Sequence, residues 1–179
     1  GLHVGDDASK VENNRQQLLN YLPAQTKIQW LDQVHGADVA YIESYSAKTI
    51  MADAAITQLP KLALAVMTAD CLPIVLTNKT GTEIAVIHGG WRPLAAGIIE
   101  KTLDKMNTPA QDIVAWLGPC IGKQAFEVGT EVKQAFISIS SSFTQAFTEK
   151  AENKWLADLI NISIQMLTRC GVETMVNGH

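Results

Sequence analysis

Three apolar runs rich in Ile, Val and Leu follow one another closely: LALAVM from Leu62, PIVLTN from Pro73 and EIAVIH from Glu83. Each has the length of a buried strand bounded by turn residues. The gaps between them are too short for crossover helices, so much of the sheet they build is antiparallel or mixed.

The flanking segments supply helices and further strands. Ser9 and Glu12 form an S-x-x-E capping box ahead of an apolar face of Val11, Leu18, Leu19 and Leu22, and Pro23 stops that helix. From Lys27 to Ala55 the pattern is short strands broken by polar turns, with IQWLDQV alternating before His35. PLAAGIIEKTLDKM reads as a single helix with Pro93 in its first turn, DIVAWLG as a buried strand, and Glu131 to Phe136 as a helix. A last helix has Asn153 as N-cap, Leu156, Leu159, Ile160, Ile164 and Leu167 as its apolar face, and Gly171 past its end. ETMV begins a final strand. With no repeat, linker or low-complexity tract, residues 1–179 form one α+β domain, with mixed, largely antiparallel sheets and helices outside.

Composition narrows the function classes. A net charge of -4 gives no electrostatic invitation to nucleic acid or to an anionic membrane, and no apolar run is long enough to span a bilayer. Three cysteines cannot all pair within one chain, and no CxxC is present, so the thiols read as reduced, in a cytoplasmic protein, with no zinc ribbon. The chain opens on Gly1 rather than Met and its last strand has little room to finish. It is therefore expected to lack natural segments at both ends.

Four apolar runs end in reactive side chains: QVHGAD with His35, TADCLP with Asp70 and Cys71, IHGGWR with His88, Trp91 and Arg92, and GPCIG with Cys120. Strand ends hold side chains rigidly while the adjoining turns leave them reachable. Taken singly, His35 reads as a surface histidine and Cys71 as a small buried hydrophobe. His88, at the end of a β-branched strand, needs a polar partner if buried. Cys120 and Cys170 read as structural, and His3 and His179 as solvated. Taken together, His35, Cys71 and His88 form a His2Cys set suited to zinc with an open fourth position, or to copper. Zinc held there would lower the pKa of a bound water toward neutrality. The three donor atoms are expected to converge within about 4 Å of one point, at a mouth of the sheet.

WLDQVHGADV, ADAAIT, TADCLPIVL, IHGGWRPLAAGI, LGPCIGKQAFEVG and LADLINISIQML resemble, in order, the motifs of the YfiH-like family, and the likeness covers essentially the whole chain. The resemblance implies a YfiH-like, cytotoxic-necrotising-factor-like fold and a metal site on His35, Cys71 and His88. It also implies purine nucleoside phosphorylase activity with adenosine deaminase activity besides, in proteins once labelled multicopper polyphenol oxidases. Purine nucleoside and phosphate would then be the partners. In that frame Arg92 reads as an anion contact or a structural ion pair. Trp91 reads as a stacking platform or core filler, and Asp70 as a group that fixes a ligand. The chain departs from the usual pattern at Gly89 and Pro93, which flank the Gly-Trp-Arg core. Family members also commonly have a strand before GLHVGDD and a Cys-Thr pair and Arg-rich segment after VNGH.

Two other mechanisms fit some of these residues. Cys71 as nucleophile with His88 as base would make an amidase or hydrolase, a reading that suits the family's link to peptidoglycan precursors. A copper oxidase with a trinuclear centre needs many histidines, and the chain has 4, two of them near its ends.

Overall fold

The computed structural model describes residues 1–177, the side chain of His3 excepted. His179 and the His3 side chain, read above as solvated, lie outside the described residues. In chain order the elements are α1 (Ala8–Leu19), β1 (Lys27–Asp32), β2 (Val39–Ile42), β3 (Ile50–Met51), β4 (Ala54–Thr57), β5 (Leu62–Ala65), β6 (Leu72–Asn78) and β7 (Ile84–Gly89). They continue with α2 (Trp91–Ala95), α3 (Ile98–Lys105), β8 (Ile113–Leu117), β9 (Glu127–Gly129), α4 (Thr130–Ile137), β10 (Phe147–Ala151), β11 (Lys154–Ala157), α5 (Leu159–Arg169) and β12 (Thr174–Asn177).

A mixed sheet of order β12-β8-β6-β7-β4-β2 forms the centre. Its inner strands β8, β6, β7 and β4 are antiparallel neighbours, and each outer strand joins in parallel. A small parallel sheet, β3-β1-β5, and an antiparallel one, β10-β11-β9, complete the fold. The antiparallel reading of the central runs thus holds. The difference is that β5 leaves the central sheet to pair with β1, so only two of the three consecutive runs are neighbours.

Alternation along β7 shows why its sequence is apolar throughout. Ala85 and Ile87 face the main core, shared with α3 and α5, while Val86 faces a second core with Leu31, Ile42, Ala55 and Leu62. The central sheet is covered on both faces, which removes the usual polar alternation.

Three helix readings need correction. The N-cap of α1 is Asp7, whose carboxylate accepts the Ser9 and Lys10 N–H groups, and the Ser9–Glu12 capping box is not formed. Of its apolar face only Val11 is buried. The helix read from Pro93 breaks into α2 and α3 at Gly97, whose φ of 78° lies in the left-handed region that costs a side chain dearly. The last helix starts later than expected. Asp158 caps it by accepting the Asn161 N–H at 2.9 Å. Asn153 instead takes φ 57° in the turn of the β10–β11 hairpin, and Leu156 belongs to β11. Asparagine tolerates that conformation because its side chain is short and polar.

Candidate metal centre

The three sequence-derived donors sit on three different elements. His35 lies in the turn between β1 and β2, Cys71 immediately before β6, and His88 in β7. In the β6–β7 ladder Leu72 faces Gly89 and Pro73 faces His88, which brings the start of one strand against the end of the other. The donor atoms of His35, Cys71 and His88 lie within 4.8 Å of one another, and they are the one such group of three among the described residues. That separation fits the expected convergence, at strand ends rather than in mid-sheet. His35 is exposed, Cys71 half-buried and His88 buried. The two imidazole rings meet edge to face with centroids 4.6 Å apart.

A residue that the sequence pattern does not single out holds the two histidines together. Asp53, fully buried just ahead of β4, accepts the His88 Nδ1–H at 2.8 Å. Its carboxylate also accepts backbone N–H groups from Val34 at 3.1 Å, His35 at 3.0 Å and Gly36 at 2.8 Å. The Asp53 carbonyl accepts the His88 N–H at 2.8 Å as well. A carboxylate cannot donate, so His88 carries its proton on Nδ1 and presents the Nε2 lone pair to the site. His35 has φ 57°, and the three N–H bonds to Asp53 stabilise that turn. Gln33 braces it from the other side: its amide donates to the Met67 carbonyl at 2.9 Å and accepts the Met67 N–H at 2.7 Å. The segment leading to Cys71 is thereby tied to the His35 turn.

Space at the site depends on a glycine. A Cβ at Gly90 would stand 3.0 Å from the Cys71 sulfur and 3.5 Å from the His35 ring, so any larger residue would crowd two of the three donors. Burial raises the Cys71 thiol pKa, and the charges of Asp70 and Asp53 raise it further. A cation in the site would reverse that balance, since a coordinated thiol loses its proton. Burial also lowers the His88 pKa, although Asp53 opposes this, and a neutral imidazole is the form that ligates. The set of two imidazoles and one sulfur can hold a metal ion.

The remaining predicted residues fall nearby. Trp91 is half-buried against the main core, and the Arg92 guanidinium lies 4.5 Å from its ring centroid. Arg92 is exposed and makes no ion pair among the described residues, so the structural ion pair considered for it is not formed there. Asp70 is exposed, and its backbone carbonyl accepts the Ile121 N–H at 2.9 Å. The carboxylate hydrogen-bonded to His88 is that of Asp53. Cys120 and Cys170 are half-buried and outside the donor group. No helix among the described residues is long and apolar enough to cross a membrane.

Known proteins resemble the chain along its whole length. A family model described as multi-copper polyphenol oxidoreductase laccase matches residues 1–179. Purine nucleoside phosphorylase YfiH of Escherichia coli is 43% identical, the match covering 99% of this chain and 73% of that protein. Purine nucleoside phosphorylase PA4543 of Pseudomonas aeruginosa is 41% identical over 99% of this chain and 72% of its own length. The crystal structure of Neisseria meningitidis protein NMB0706 superposes with a TM-score of 0.95 at 36% identity, covering all of this chain and 73% of the other.

Proposed function

The chain belongs to the multi-copper polyphenol oxidoreductase laccase family, and from that membership we propose that it is a zinc-dependent purine nucleoside enzyme. The reaction is phosphorolysis of adenosine, inosine or methylthioadenosine, with deamination of adenosine as a second activity. The observation that carries the reading is the convergence of His35, Cys71 and His88 on one point, in a chain whose relatives bear the name purine nucleoside phosphorylase.

His35, Cys71 and His88 would hold the zinc, which when bound supplies a Lewis acid at the strand ends. Asp53 keeps the His88 proton on Nδ1 and keeps the His35 turn closed. Phosphorolysis also requires a held phosphate, and Arg92 is suited to hold it. Its side chain is exposed, unpaired with any acid among the described residues, and lies over the Trp91 ring. A planar guanidinium presents paired donors to phosphate oxygens.

The test incubates zinc-replete protein with adenosine, inosine or methylthioadenosine, with and without phosphate. Free base formed only with phosphate is the expected sign of phosphorolysis, and inosine formed from adenosine without phosphate that of deamination. Cys71→Ser should lose both zinc and turnover, while Cys170→Ser keeps both. No product from protein that holds zinc would overturn the assignment. Turnover that survives chelation but not alkylation of Cys71 would replace it with the Cys–His amidase.

A further inference from the structure

Cys120 has no part in the donor group, yet the sheet delivers it to Cys71. The β6–β8 ladder runs antiparallel from Asn78 opposite Ile113 to Ile74 opposite Leu117. Two backbone bonds carry the pairing past the strand ends: Gly118 N–H to the Pro73 carbonyl at 2.9 Å, and Ile121 N–H to the Asp70 carbonyl at 2.9 Å. Cys71 and Cys120 are the residues just inside the second bond, on neighbouring antiparallel segments. Each cysteine thus adjoins one partner of a backbone hydrogen bond between the two segments, and a disulfide there needs Cα atoms within roughly 4.4–6.8 Å. The proximity is also felt electrostatically, since burial, the Asp158 carboxylate and the Cys71 sulfur all raise the Cys120 thiol pKa. Cys120 lines an open cavity of about 310 Å³ with Lys123, Asp158 and Asn177, and Cys71 is half-buried, so neither thiol is sealed from solvent.

We propose that Cys71 and Cys120 form a redox pair, in which a peroxide converts the two thiols to a disulfide and so removes the sulfur donor from the metal centre. The Cys71 sulfur attacks one peroxide oxygen, the O–O bond breaks, and a sulfenic acid forms as water departs. The Cys120 sulfur then attacks the Cys71 sulfur and displaces the hydroxyl, which leaves as water with the Cys120 proton. Two thiols are oxidised and one peroxide is reduced to two waters. Only the consequence for the metal rests on reading Cys71 as a ligand; the cross-link does not.

Chelator-treated full chain is exposed to hydrogen peroxide, then analysed by thiol titration, intact mass, peptide mapping and zinc binding. Two of the three thiols should disappear, the mass should fall by two hydrogens, and the map should show Cys71 joined to Cys120 with Cys170 free. Zinc affinity should fall by at least about tenfold and return on reduction. Cys120→Ser should keep zinc affinity but accumulate sulfinic or sulfonic acid at Cys71 without a cross-link. Zinc added before peroxide should slow the loss of both thiols. A wild-type protein in which Cys71 over-oxidises while Cys120 stays a thiol overturns the pair. A cross-link that leaves zinc affinity unchanged upholds the pair and removes Cys71 from the ligand set.

Discussion

The fully buried Asp53 carboxylate accepts four hydrogen bonds, and every donor belongs to the candidate metal centre or its turn. An amide at this position would set an NH2 group against one of those donors. Asp53→Asn should therefore weaken zinc binding about 10- to 100-fold, the effect of losing the group that orients a ligand. It should also cost about 1–3 kcal/mol of stability through the unpaired buried donors. Competition with a chromophoric chelator and a urea titration check the two effects, with Asp70→Asn, which removes a nearby charge but no hydrogen bond to the donors, expected to weaken zinc binding less and to leave stability unchanged. Equal weakening by both substitutions would return the orienting role to Asp70. The contrast shows what could be read from residues alone. His35, Cys71 and His88 stand out because reactive side chains follow apolar runs. Asp53 is one carboxylate among 18 acidic residues, and its partners come from residues 34–36 and 88, so only the folded topology marks it.

At the scale of elements, Glu83 secures the opposite end of β7. It is fully buried and accepts bonds from the Thr108 hydroxyl at 2.7 Å, the Thr108 N–H at 2.9 Å and the Asn107 N–H at 3.0 Å. Burial alone would raise its pKa, but these bonds outweigh it and the carboxyl titrates below its usual 4.5. Because the folded value is depressed, the stabilisation is present above the unfolded pKa and is lost as pH falls through the folded one. Glu83→Gln should lower stability at neutral pH by about 1–3 kcal/mol. It should also flatten the acid loss of melting temperature below roughly pH 4.5. Parallel acid slopes for the two proteins would show that Glu83 carries none of that dependence. Elements whose signals were local were readable, including the β6–β7 pair and α4. The errors arose where one residue served two patterns. Gly97 lies inside an unbroken helical periodicity yet ends α2 by its conformation, and Asn153 suits a cap as well as the left-handed hairpin turn it occupies.

For the molecule as a whole, the candidate metal centre lies at the end of a sheet already covered on both faces, so the proposed ion is expected to add to a fold that is already packed. Zinc at about a hundred times its dissociation constant should add about 2.7 kcal/mol of stability. In a chain of 179 residues, that raises the melting temperature by roughly 5–10 °C. Chelation should reverse the rise and leave far-ultraviolet circular dichroism unchanged; unfolding on chelation would mark a structural site instead. The antiparallel centre was legible at this scale because the short β6–β7 connection forbids parallel pairing of those two strands. The division of strands among three sheets was not, since β5 pairs with β1 and β12 with β8, each across a long stretch of chain. The donors also form a ramp, from exposed His35 through half-covered Cys71 to sealed His88. An ion entering a centre of this kind would meet the surface imidazole first and the buried one last. With such an order the rate of capture would belong to His35, and the dwell time of the ion to His88 and the carboxylate behind it.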